Sequence, residues 1–138
     1  MAYVPLYQGK GVDSLLEIDL RNYLLTNDNL KALIGTRIYP GWIPENATMP
    51  SVAFLTVSGV RHHNIDVAYP RIQFSVFSSR YLEAKEIASE IRKSLRRHEG
   101  MTGSTRIIQG VFENENEMYE KDTLLYHIAC DFKIIYWE

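Results

Sequence analysis

Apolar residues recur at helical spacing near the middle of the chain, where every third or fourth position is hydrophobic. Acidic side chains lead this stretch and basic ones end it, which suits the dipole of a helix. We predict an amphipathic helix capped at its start by Ser79 and ended before Gly100. Its buried stripe would be Ala84, Ile87, Ala88, Ile91 and Leu95.

An earlier stretch shows the same period. Ser14 and Glu17 have the spacing of a capping box. Residues 30–34 add one short helical turn that ends at Gly35. Residues 1–12 show no period, and we interpret them as an extended arm before a single domain, residues 13–138. The helix face after the cap consists of Leu16, Leu20, Tyr23 and Leu24.

Four further segments have the composition of strands. Residues 51–61 are apolar at both parities, which predicts a strand covered on both faces. Residues 69–78 alternate apolar and polar positions, which predicts one solvated face. Residues 106–112 and 124–136 suit a second hairpin. We therefore predict an α+β fold: a four-stranded, mainly antiparallel sheet of two hairpins packed against two helices, in the order α-(α)-β-β-α-β-β.

Residues 37–49 interrupt this pattern, with prolines at 40 and 44 and another at 50. Each proline lacks a backbone donor and biases its predecessor toward extended geometry. We expect this proline loop to be neither helix nor central strand and to lie on the surface.

Bulk properties limit the function classes. The chain has 138 residues, a net charge of −2 and one cysteine, so no internal disulfide can form. Its charge indicates no general affinity for nucleic acid or anionic membranes. We see no signal peptide and no apolar run of about eighteen residues, so we expect a soluble intracellular domain with no membrane partner.

The side chains that often carry chemistry are poorly placed for it. Adjacent His62 and His63 would point to opposite faces of a strand, and His127 lies about 13 Å from Asp131 along one. Cys130 falls on the apolar parity and is expected to be buried. Because no catalytic or phosphate-loop pattern appears, we expect no metal, no cofactor and no enzyme activity.

Two charged runs have both an ordinary and a functional interpretation. The basic run of residues 92–98 ends a predicted helix, where cations are favoured whatever the function. In extended geometry Glu113, Glu115 and Glu117 would form one carboxylate edge, with Glu120 near the turn. That edge is either a solvated hairpin tip or a projection that meets a partner or lines a channel.

The proline loop is part of a longer pattern that resembles a known protein family. The stretches LRNYL and NLKALIGTRIYPGWIPENATMPSVAFLTVSG, followed by a strand, a helix and a hairpin, resemble the tail-completion proteins of long-tailed phages. The resemblance covers roughly residues 14–136. It is carried by the helix of residues 83–95 and by Leu30, Leu33, Ile34, Gly35, Arg37, Ile38, Tyr39, Pro40, Pro44, Pro50 and Val52.

The resemblance implies a structural virion protein assembled in the host cytoplasm and located at the head–tail junction. Its partners would be further copies of itself in a ring, a hexamer by analogy, together with the tail tube protein and a head-side connector, with DNA only as passing cargo. The alternative is a stand-alone module that binds a small ligand or RNA. The interface residues that we predict are Trp42, Ile43, His62, His63, Glu113, Glu115, Glu117, Tyr119 and Glu120.

Overall fold

The computed structural model describes residues 15–138. The predicted arm and the predicted cap Ser14 lie outside the described residues. The described residues form three helices and seven strands; two helices precede the first strand, and the third lies between the fourth and fifth strands. The helices are α1 (Leu16–Leu24), α2 (Asp28–Ile34) and α3 (Tyr81–Leu95); the strands are β1 (Ile38–Pro40), β2 (Ser51–Ser58), β3 (Val67–Ala68), β4 (Arg71–Ser78), β5 (Gly100–Thr102), β6 (Thr105–Glu120) and β7 (Leu125–Trp137).

All seven strands belong to one curled, mixed sheet with the order β1-β2-β4-β7-β6-β5, while β3 pairs with the end of β7. The β1–β2 pair is parallel, and the other pairs are antiparallel. Long strands β6 and β7 form the central hairpin, and their pairing extends from Arg106 to Glu120 of β6. The sheet has the form of a half-barrel.

The predicted fold class was wrong in strand number, in the purely hairpin topology and in helix number. The four predicted strands correspond to β2, β4, β6 and β7, and the structure adds β1, β3 and β5. Each added strand has only two or three residues, which is too short for an alternating pattern to appear in the sequence. Their places are decided by pairing with neighbours distant in the chain.

Strand β1 lies within the stretch that we expected to be surface loop. Ile38 is fully buried, and β1 pairs with β2 at the edge of the sheet. The Arg37 carbonyl accepts from the Val52 N–H and the Gly41 N–H donates to the Phe54 carbonyl, so alternate residues face β2. Pro40 falls between them, where its missing donor is not needed.

Helix starts follow local side-chain chemistry. Asn27 caps α2, since its side-chain oxygen accepts from the Leu30 N–H at 3.0 Å. The start of α3 is stabilised by Ser78 rather than by the predicted Ser79. The Ser78 hydroxyl accepts from the Arg80 N–H at 3.1 Å and donates to Glu83 at 2.8 Å.

The core lies between the helices and one face of the sheet. The predicted stripe of α3 is buried as expected, and it packs against Phe74 of β4 and Phe132 of β7, both fully buried. The opposite face is more polar: Arg71 and Gln73 both contact the buried carboxylate of Asp131 at 3.0 Å. Strand β2 is covered only in its first half, contrary to the prediction for its whole length.

Cys130 is fully buried in this core, as predicted. Burial, reinforced by nearby Glu115, raises the pKa of the thiol to about 12. The thiolate that nucleophilic chemistry needs is therefore suppressed at neutral pH.

The end of α3 meets β6 at a close backbone approach. Arg97 donates its N–H to the Gly110 carbonyl at 2.8 Å, and the Gly110 N–H donates to the His98 carbonyl at 2.9 Å. A Cβ at position 110 would overlap the carbonyl oxygen of Leu95. Glycine is therefore required for α3 to close onto the sheet.

Within residues 15–138, no helix is both long enough and apolar enough to span a bilayer.

We predict that Gly110→Ala lowers the free energy of unfolding by roughly 1–3 kcal/mol, because the added methyl forces α3 away from β6. Urea denaturation measures this change. Gly59→Ala is the matched control, since its Cβ would meet only Arg61 Nη1 at 3.8 Å; we expect a change within about 0.5 kcal/mol there. Equal effects of the two substitutions would contradict the assignment.

Candidate assembly interface

The proline loop presents an exposed tryptophan from an anchored backbone. Trp42 is 82% exposed, whereas Ile43 beside it is half-buried. The loop is held at its start by the Gly41 N–H bonded to Phe54 at 2.7 Å. At its end, Arg37 Nε donates to the Pro50 carbonyl at 2.7 Å. A large apolar side chain is thereby displayed from a restrained loop.

An apolar groove of about 300 Å³ lies beside Trp42, on the sheet face opposite the helices. It runs between the proline loop and the turn that joins β6 to β7. Three predicted interface residues, Trp42, Ile43 and Glu120, come together here although they are far apart in sequence. The lining residues are Gly41, Trp42, Ile43, Met49, Ala53, Ser75, Phe77, Glu120, Thr123 and Leu125.

His127 supports the floor of this groove. Its ring stacks on Phe77 with centroids 4.3 Å apart, and its Nδ1 lies 3.3 Å from a Glu120 carboxylate oxygen. Nε2 is buried and has no hydrogen-bond partner within the described part of the chain. Burial lowers the pKa of His127, and this outweighs the opposing attraction of Glu120.

The acidic residues do not form one edge. Strand β6 runs on to Glu120, so Glu113, Glu115 and Glu117 lie within the hairpin rather than at its tip. A bulge between Phe112 and Asn114 breaks the alternation. Glu113 then approaches Lys133 at 3.4 Å, on the face opposite the helices.

Glu115 and Glu117 instead face α3. Lys85 Nζ lies 3.0 Å from Glu115 and 2.6 Å from Glu117, which raises the pKa of Lys85 and lowers that of Glu117. The Tyr81 hydroxyl also donates to Glu117 at 2.8 Å. These ion pairs fasten the distal half of β6 to the start of α3, and the sequence did not reveal them because the partners are about thirty residues apart.

Tyr119 belongs to the same junction. Its ring centroid is 4.8 Å from that of Tyr126, which in turn contacts Tyr81 at 5.4 Å. Tyr119 remains 48% exposed. Its role in an interface stays a prediction.

His62 and His63 lie apart from the other predicted residues, next to the short strand β3. They are exposed and outside any strand, so their rings do not point to opposite faces as expected. The rings stack in parallel, with centroids 5.5 Å apart, and His62 Nδ1 accepts from the Asn64 N–H. Over residues 15–138 no three His, Cys, Asp or Glu side chains are grouped as metal ligands.

This small α+β protein has an exposed apolar groove and a hairpin held to α3 by ion pairs. Such a surface is suited to assembly with other proteins. The chain belongs to the family described as tail completion protein gp17, whose model matches residues 18–137. It is therefore a structural protein of a phage-type tail, located in the virion. The family supports this class rather than a stand-alone module for a small ligand or RNA.

A solved structure agrees with the fold. A chain from the virion of a native gene transfer agent particle is 17% identical, with a TM-score of 0.76. The match covers 94% of this chain and 100% of that chain. No curated protein sequence matches the chain.

We predict that stability falls as the pH decreases below about 6.5, the ordinary pKa of histidine. His127 and His98 both have pKa values lowered by burial, so the unfolded chain binds protons at a higher pH than the folded chain does. Each contributes at most about 1.4 kcal/mol per pH unit between its unfolded and folded pKa.

Urea denaturation from pH 7.5 to pH 5 tests this expectation, with His127→Gln and His98→Gln compared with the original protein. Each substitution should flatten the decline. An unchanged slope in both variants would show that burial of these rings does not control the acid response.

Proposed function

We propose that the protein is a tail terminator that assembles as an oligomeric ring, a hexamer, at the head-proximal end of the tail tube. The ring caps the finished tube and joins it to the head-side connector, and DNA passes through as cargo. Family membership supports the tail setting, and the structural relative is itself a chain of an assembled virion particle.

The observation that carries this proposal is the display of Trp42. Because Trp42 is 82% exposed, it contributes little to the stability of the folded monomer. Against a partner, the same side chain would bury a large apolar area. The adjoining groove supplies a further apolar surface of the kind found at the centre of protein interfaces. We assign Trp42 and the groove to contact between neighbouring copies.

A closed ring needs two different, complementary patches on each copy. The described sheet is open, with β1 at one edge and β5 at the other. Strand edges carry unpaired backbone groups that another chain can use. The groove lies near the β1 edge, so the complementary patch would lie toward the β5 side of the molecule.

Electron microscopy and native mass spectrometry of the purified full chain, alone and with the tail tube protein, test the ring. Six-fold rings, or tubes closed by six copies, are expected. Tubes that bind isolated single copies, or none, would overturn the proposal.

We predict that Trp42→Ala abolishes ring formation, or weakens capping of the tube at least tenfold, while the free energy of unfolding changes by less than about 0.5 kcal/mol. The stability of the monomer is spared because Trp42 is mostly in solvent.

Leu82→Ala provides the matched control, since this α3 side chain is 73% exposed and lies outside both the groove and the edge strands. A loss of assembly with an equal loss of stability in Trp42→Ala would mean that the tryptophan maintains the fold. Intact rings in that variant would remove it from the interface.

A further inference from the structure

The basic end of α3 surrounds a cleft. Arg92, Arg96 and Arg97 approach it from the helix, and residues 109–112 of β6 form its other wall. The cleft has a volume of about 480 Å³. The helix dipole explains why cations occur at this terminus, but it does not explain why three arginines line one cavity.

Two of these cations have no side-chain partner among the described residues. Arg92 lies over the Phe112 ring at 5.4 Å and is 3.8 Å from Glu115. By contrast, Arg96 and Arg97 are exposed, and neither forms a hydrogen bond or ion pair with another side chain in residues 15–138. The cleft therefore has excess positive charge, although the whole chain has a net charge of −2.

The backbone at Arg97 strengthens the case for a ligand. Its φ is +62°, a left-handed conformation in which glycine is the usual residue just beyond a helix. An arginine here is conformationally unfavourable. Strain of this kind is retained most readily where a side chain has a task beyond the fold.

We propose that this cleft binds the phosphodiester backbone of DNA. The choice of DNA as the source of phosphate rests on the proposed position of the protein at the head–tail junction. A guanidinium group matches phosphate oxygens through paired N–H donors. Arg96 and Arg97 would contact successive phosphates, and Arg92, oriented by Phe112, would close the inner end of the cleft.

The acidic strand of a second copy fits the cleft less well. Glu115 and Glu117 are already paired with Lys85, and Glu113 is paired with Lys133. Breaking those pairs to supply carboxylates would cancel much of the gain from a new contact. Binding of a DNA phosphate would not require any of these ion pairs to break.

Fluorescence anisotropy with a labelled 30-base-pair duplex, measured from 50 to 200 mM salt, tests the inference on the full chain. Arg96→Gln combined with Arg97→Gln should weaken binding about tenfold. The slope of log K against log salt should become shallower by roughly 1.8, the value for two lost phosphate contacts.

Lys31→Gln combined with Arg61→Gln is the charge-matched control, because both side chains are exposed and lie outside the cleft. It should leave the affinity within twofold of the original protein and the salt slope unchanged. Equal losses in the two double variants, or no measurable binding by the original protein at 50 mM salt, would overturn the inference.

Arg97→Gly separates a ligand role from a structural role. Glycine relieves the left-handed strain, so the melting temperature should stay the same or rise, while DNA affinity falls about threefold. A lower melting temperature with unchanged affinity would overturn the inference.

Electron microscopy of the same variants distinguishes the inference from the proposed function. Rings that form normally in Arg96→Gln/Arg97→Gln, with DNA binding weakened as expected, support both. Rings lost with DNA binding retained would make the cleft a contact between copies and overturn the DNA assignment. If the original protein never forms rings yet the DNA result holds, only the ring proposal fails.

Discussion

The approach of α3 to β6 at Gly110 is the constraint on which the surface features of this protein depend. Absence of a side chain lets the Leu95 carbonyl lie against the strand, and two backbone hydrogen bonds connect Gly110 to Arg97 and His98. The apolar stripe of α3 is then pressed onto the sheet along its length. Both ends of the helix acquire fixed neighbours as a result.

At the start of α3, the fixed neighbour is the distal half of the central hairpin. Lys85 pairs with Glu115 and Glu117, the Tyr81 hydroxyl donates to Glu117, and the Tyr81 ring contacts Tyr126. Because these side chains are partly exposed, each ion pair adds little to stability. Their main effect is positional: they set the direction of the hairpin whose turn borders the groove beside Trp42.

Elements with long, regular periods were predictable from sequence, because burial of one face leaves a repeated signal. The stripe of α3 and the alternation in β4 were confirmed residue by residue. In contrast, β1, β3 and β5 could not be predicted, since two or three residues carry no period. The candidate interface was partly predictable: Trp42 and Ile43 stood out as apolar residues among prolines, while the bulge in β6 and the partners of its glutamates did not.

By itself, the sequence determined the core-facing residues, the burial of Cys130 and the family, since these follow from local patterning and from prolines at fixed spacing. Only the tertiary structure decided which charges are neutralised, which remain unpaired, and which distant residues share a groove or cleft. The reason is physical. Periodicity reports whether a side chain faces inward, whereas the pairing of Lys85 with Glu117 or the convergence of arginines depends on distances between elements far apart along the chain.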